Sequence, residues 1–142
     1  MKRVFAGKPV IAGSAEGIAL VSKEPLSFWG GLSARSGEII DRRHERCGAV
    51  VTSRVFVFPQ GKGSSTGSAV LLESIKTGTA PAAIINLKTD SILALGAIVA
   101  DELYHRTVPI VVLDEDAFFS IRDGDRVVVE PDGKVIVDGA RA

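Results

Sequence analysis

Cysteine is all but missing from this chain: Cys47 stands alone among 142 residues. No disulfide can form within the chain, so nothing points to a stapled, secreted scaffold. One thiol cannot hold zinc or an iron–sulfur cluster, which take several ligands. His44 and His105, the two histidines, show no metal-ligand spacing. Excess charge is missing as well. Seventeen basic residues balance seventeen acidic ones, which leaves no electrostatic case for nucleic acid or an anionic membrane surface as partner. The longest apolar run, Ile92 to Ala100, is too short to cross a bilayer. The start, MKRVFAGKPVIAG, breaks its apolar run at Gly7, Lys8 and Pro9, so it reads as a strand and not as a signal peptide. The expectation is a soluble, cytoplasmic protein.

Apolar residues are plentiful, at 46 %, and mean hydropathy is +0.26. Two arrangements give such values: a well-buried parallel sheet with apolar helices, or an apolar surface covered by a partner. Composition leaves both open. The length suits one domain, and no repeat, linker or low-complexity tract divides residues 1–142.

Short strands are expected at Val4–Phe5, Val10–Ile11 and Gly17–Val21, then a turn at Gly30–Gly31 and a short strand near Glu38–Ile40. From there the pattern alternates. A strand at Val55–Phe58 precedes a helix from about Gly67 to Lys76, and a strand at Ala82–Leu87 precedes a helix at Ile92–Tyr104 that Asp90 or Ser91 can cap. Val108–Leu113 is the next strand, so two βαβ units make a parallel sheet. Two β-rich runs around Pro131–Asp132–Gly133 form a closing hairpin. The architecture expected is an α/β, β/β/α domain: a central parallel sheet with helices, plus an outer antiparallel β layer built from the two chain ends.

The segment PQGKGSSTGS, residues 59–68, falls between a parallel strand's carboxyl end and a helix's amino end. Free N–H groups and the helix dipole favour negative charge there. Gly61 and Gly63 permit close backbone approach, Lys62 adds a cation, and Ser64, Ser65, Thr66 and Ser68 add hydroxyls. The plainest reading is a well-capped turn, since serine and threonine are ordinary N-cap residues. An anion cradle is a second reading. It is not a nucleotide loop, because no Walker sequence closes it and Thr66 breaks the G-x-G-x-x-G spacing. A third reading is a nucleophile: Gly63-Ser64-Ser65-Thr66-Gly67 matches G-x-S-x-G around Ser65, but several residues separate it from the strand end. A serine acting as base is the fourth, its alkoxide stabilised by amides, a helix terminus and a cation.

The stretches AEGIALVSKEPLSFWGG, GEIIDRRH, GKGSSTGSAVLLESIKTGTAPAAII and ILALGAIVADELYHRTVPIV together resemble the swivelling domain of the aconitase X family, across roughly residues 13–112. In that family the domain is in some members a separate small subunit. The resemblance implies a hydro-lyase active only with a large subunit as a heterodimer. It places an iron–sulfur cluster of the 4Fe-4S type on that large subunit, with none on this chain. The likeness is greatest to members that dehydrate (R)-5-phosphomevalonate to trans-anhydromevalonate 5-phosphate, a mevalonate-pathway step of isoprenoid biosynthesis. Hydroxyproline dehydration is the alternative within the family, and a non-catalytic lid or binding subunit the alternative outside it. The superfamily's base is the first serine of a pair after a glycine, here Ser64, with Lys62, Gly63, Ser65 and Thr66 as substrate-binding neighbours. Aconitase has an arginine where this chain has Thr66, so amides and Lys62 would stabilise the alkoxide.

GAIVADEL, VPIVV and the terminal DGDRVVVEPDGKVIV also resemble the phosphohistidine domain of phosphoenolpyruvate-utilising enzymes. Leu95 stands where that domain has its histidine, which excludes phosphotransfer at this position. Phe28 and Trp29 are expected as core anchors, with part of a subunit interface or of a pocket rim as the alternative. Asp41, Arg42, Arg43 and His44 either reach a phosphorylated substrate or form a solvated loop.

Overall fold

A computed structural model describes residues 2–63 and 65–139 of the chain. The first strands are β1 (Lys2–Ala6), β2 (Lys8–Ile11) and β3 (Ala15–Val21), followed by one kinked helical turn, α1 (Phe28–Gly31). Then β4 (Val55–Val57), α2 (Gly67–Thr77), β5 (Ala83–Asn86), α3 (Ser91–Tyr104) and β6 (Ile110–Val112) alternate. A short helix, α4 (Glu115–Ser120), leads into the hairpin β7 (Arg126–Val129) and β8 (Lys134–Asp138).

The strand order is β1-β8-β7-β3-β4-β5-β6-β2. β3 belongs to both halves of the sheet. Its first half, Ala15–Ile18, pairs antiparallel with β7, and its last residues, Ala19–Val21, pair parallel with β4. β4, β5 and β6 continue the parallel set as expected from the two βαβ units. β1 joins β8, so the antiparallel part does come from both chain ends.

Successive residues on a strand point to opposite faces, and here that alternation separates two cores. Leu20, Phe56, Ile84 and Ile110 face α2 and α3, packing on Leu71, Ile75, Leu93, Ala97 and Ala100. Ala19, Val55, Val57, Ala83, Ile85 and Val111 face the other way, against Val127, Val129, Val135, Val137 and Phe118 of α4. This is the β/β/α layering expected from sequence. β4 and β5 are buried on both faces, which explains their continuous apolar sequences.

The two helices cross closely. A side chain at Gly96 would meet the Ser68 carbonyl oxygen at 2.5 Å, so only glycine lets α3 lie this near the start of α2. Leu95 beside it is exposed.

Three expectations need correction. Glu38–Ile40 forms only isolated bridges, Leu32 to Ile39 and Glu38 to Val50, because its neighbouring residues pair with two different segments and no run of consecutive pairs builds up. Trp29 is not a core anchor: Phe28 is 2 % exposed, but Trp29 is 59 % exposed, since the chain leaves helical geometry at Trp29 and Gly30. The strand–helix pattern read from sequence also has no place for α4. Its signal is present, with Asp114 accepting from the Ala117 amide at 2.9 Å and acidic Glu115 and Asp116 in the first turn.

Candidate active site

β4 and β5 lie side by side and parallel, so both strand-to-helix junctions open at the same sheet edge. That is the edge where open α/β sheets ordinarily take their ligands. A cavity of about 240 Å³ occupies it. The first junction contributes Gln60, Gly61, Lys62, Gly63 and Gly67, the second contributes Thr89, Asp90, Ser91, Ile92 and Leu93, and Phe28 closes the wall. Ligand pockets usually hold about 300–1,000 Å³, and this one is somewhat smaller.

Beneath the loop lies an aromatic stack. Phe58 sits between Phe56, at 4.3 Å between ring centroids, and Phe28, at 5.8 Å. Phe56 and Phe58 are two apart in sequence and so share a face. The buried Asn86 amide donates to the Phe58 carbonyl at 2.9 Å, and Leu87 N–H donates to Pro59 at 2.9 Å. These bonds launch the loop from a rigid base.

The two helix starts differ electrostatically. At α3, Asp90 Oδ1 accepts from Ile92 N at 3.0 Å and Leu93 N at 3.1 Å, so a carboxylate answers the dipole. α2 has no acidic residue in its first turn, and Lys62 precedes it on the cavity wall. On this side of the cavity the positive end of α2 and the Lys62 ammonium favour an anion, while Asp90, which also lines the cavity, has its oxygens on backbone amides. Gly63 takes a positive φ of 85°, which glycine adopts at least cost.

Of the residues singled out from sequence, Lys62 and Gly63 line the cavity, while Ser65 and Thr66 are exposed on the turn into α2 and do not. Ser64 lies outside the described residues. Phe28 is both buried and on the cavity wall, so the pocket-rim alternative holds for it beside the core-anchor reading, whereas the sequence reading missed the whole second junction. The available signal was the repeated strand–helix pattern, which puts consecutive junctions at one edge.

Asp41, Arg42, Arg43 and His44 line no part of this cavity. Arg42 and Arg43 are exposed, but His44 is 5 % exposed. Its Nδ1 accepts from Arg46 N–H at 3.1 Å, and its Nε2 lies 3.4 Å from Ser22 Oγ. With Nδ1 accepting, the neutral ring carries its hydrogen on Nε2. His44 therefore donates towards Ser22 and cannot act as its base. Ser22 Oγ also lies 3.3 Å from Glu45 Oε2, so this cluster clamps the 41–48 turn to the end of β3.

Among the described residues no three His, Cys, Asp or Glu side chains gather to hold a metal, and Cys47 is exposed and solitary. They do not fit the ligand set of an iron–sulfur cluster. No described helix is long and apolar enough to cross a membrane.

Fold and site together define a swivelling β/β/α domain with a cavity lined by the glycine-rich loop at the carboxyl ends of its parallel strands. The chain belongs to the aconitase X swivel domain family, whose profile matches residues 4–137. A cis-3-hydroxy-L-proline dehydratase of Pseudomonas aeruginosa is 52 % identical over 108 residues, which is 76 % of this chain but 19 % of that protein. The chain thus spans about a fifth of that relative's length. The phosphomevalonate dehydratase small subunit of Archaeoglobus fulgidus is 47 % identical over 129 residues, covering 90 % of this chain and 92 % of that one. The crystal structure of Thermococcus kodakaraensis aconitase X in its holo-form matches with a TM-score of 0.86 and 34 % identity, covering 96 % of this chain and 99 % of that chain.

Proposed function

We propose that this chain is the small subunit of a cytoplasmic hydro-lyase that dehydrates (R)-5-phosphomevalonate to trans-anhydromevalonate 5-phosphate. The observation that carries the proposal is near end-to-end similarity to a phosphomevalonate dehydratase small subunit, 90 % of one chain against 92 % of the other. The cavity suits it. A phosphorylated substrate finds Lys62 and the start of α2, whose first turn holds no acidic residue, while the Asp90 carboxylate, which also lines the cavity, is occupied by the Gly61, Ile92 and Leu93 amides.

In this reading Ser64 Oγ, as alkoxide, takes the proton from the carbon next to the one that loses hydroxide, leaving a carbon–carbon double bond. Lys62 and neighbouring amides stabilise the anionic oxygen. Gly63, Ser65 and Thr66 shape the turn that presents it. The large subunit closes the open side of the cavity, and the 4Fe-4S cluster implied by the resemblance belongs to that subunit, since the residues described here cannot ligate it.

A second reading, dehydration of a hydroxyproline, is favoured by the 52 % identity to the Pseudomonas enzyme. Its substrate carboxylate would meet the same positive end of the cavity. The test is turnover of both substrates by this chain with its large subunit, reconstituted anaerobically with iron and sulfide. The expected result is activity on (R)-5-phosphomevalonate that needs both subunits and falls about 10²–10⁴-fold in Ser64→Ala, the usual worth of a general base. Turnover of cis-3-hydroxy-L-proline alone would overturn the substrate. Full activity of Ser64→Ala would overturn the base and leave a lid or binding role.

A further inference from the structure

The loop carrying Ser64 is held from two sides. On one side Leu26, after β3, runs parallel to it: Leu26 N–H donates to the Gln60 carbonyl and Lys62 N–H donates to the Leu26 carbonyl, both at 3.3 Å. On the other side stands Asp90. Its Oδ2 accepts from Gly61 N–H at 2.7 Å, the shortest of these three bonds, from 29 residues further along the chain. The same carboxylate caps α3 through Oδ1. One side chain therefore fastens the first strand-to-helix junction to the second. Gly61 is fitted to this contact, since a side chain there would collide with Asp90 Oδ2.

We infer that Asp90 is a positioning residue for the reaction, setting through Gly61 the place from which the loop presents Ser64. The inference rests on the Ser64 reading above. Its logic is geometric: a reacting group displaced by about 1 Å can cost 10²-fold in rate, and Gly61 lies only three residues before the serine. A helix cap needs one acceptor oxygen; Asp90, on the cavity wall, uses both, the second on the Gly61 amide of the loop.

Asp90→Ser separates the two tasks. Serine caps a helix about as well as aspartate, but its single, shorter hydroxyl cannot also reach Gly61. In the reconstituted complex kcat should fall about 10- to 100-fold with KM within about twofold, as for a misplaced reacting group. Hydrogen exchange in residues 60–63 should quicken while Ile92 and Leu93 keep their protection. Unchanged kcat overturns the inference. So does a loss accompanied by unprotected α3 amides, which would make Asp90 a helix cap and nothing more. Ser64→Ala, assayed alongside, keeps the readings apart: full activity there sinks the base whatever Asp90 does, whereas inactive Ser64→Ala with fully active Asp90→Ser sinks the tether alone.

Discussion

The loop at residues 59–66 and the turn at 41–48 are both polar, both rich in groups that enzymes use, and both tied to the end of a strand. By side-chain type the turn is the better endowed, with Asp41, Arg42, Arg43, His44, Glu45 and Arg46 against one lysine and a few hydroxyls. In three dimensions the ranking reverses. His44 is buried and spends both ring nitrogens on Arg46 N–H and Ser22, and Glu45 closes on Ser22 and the Lys23 amide at 3.1 Å. The 59–66 loop instead fixes its backbone from Leu26, Leu87 and Asp90 and leaves Lys62 facing a cavity. Satisfied polar groups stabilise a fold. Groups held in place with capacity left over can act on a ligand.

The comparison can be broken in three ways. Phe58→Ala, at the centre of the aromatic stack, should have the largest effect, about 3–5 kcal/mol of stability, read from urea unfolding. If it unfolds the loop alone and spares the 41–48 turn, the two regions are more independent than their shared core implies. His44→Ala should come next. Removing it strands the Arg46 amide and leaves Ser22 only its Glu24 and Glu45 partners, a loss of about 1–3 kcal/mol, while kcat of the folded complex stays unchanged. A fall in kcat at full folding would move the turn into the active site. Lys62→Met should be smallest in stability, within about 0.5 kcal/mol as for other exposed positions, yet KM should rise about tenfold or more from the lost charge-assisted contact. An unchanged KM would place the substrate anion elsewhere.

Much of this was legible beforehand. The alternation from Val55 to Leu113 implied parallel strands, and the Asp132–Gly133 turn implied the hairpin. The glycine–serine loop stood out as the segment with anion-binding chemistry. Trp29 and α4 were misread or missed for local reasons, one a departure from helix geometry at Gly30, the other a helix of only six residues. The second junction was missed because a sequence reading weighs each segment singly, and Asp90 next to Ile92 looks like a cap and nothing else.

By itself, then, the sequence determined the layers, because hydrophobic periodicity and turn residues act over a few neighbouring positions. It also singled out one loop with the chemistry proposed here for an anion, since glycine freedom, hydroxyls and a following helix start are all local. Only the tertiary structure decided that Asp90 grips Gly61, that Gly96 admits α3 against Ser68, and that His44 is spoken for. Each of these depends on which distant backbone atom arrives within hydrogen-bonding or van der Waals distance, and that follows from packing the whole sheet.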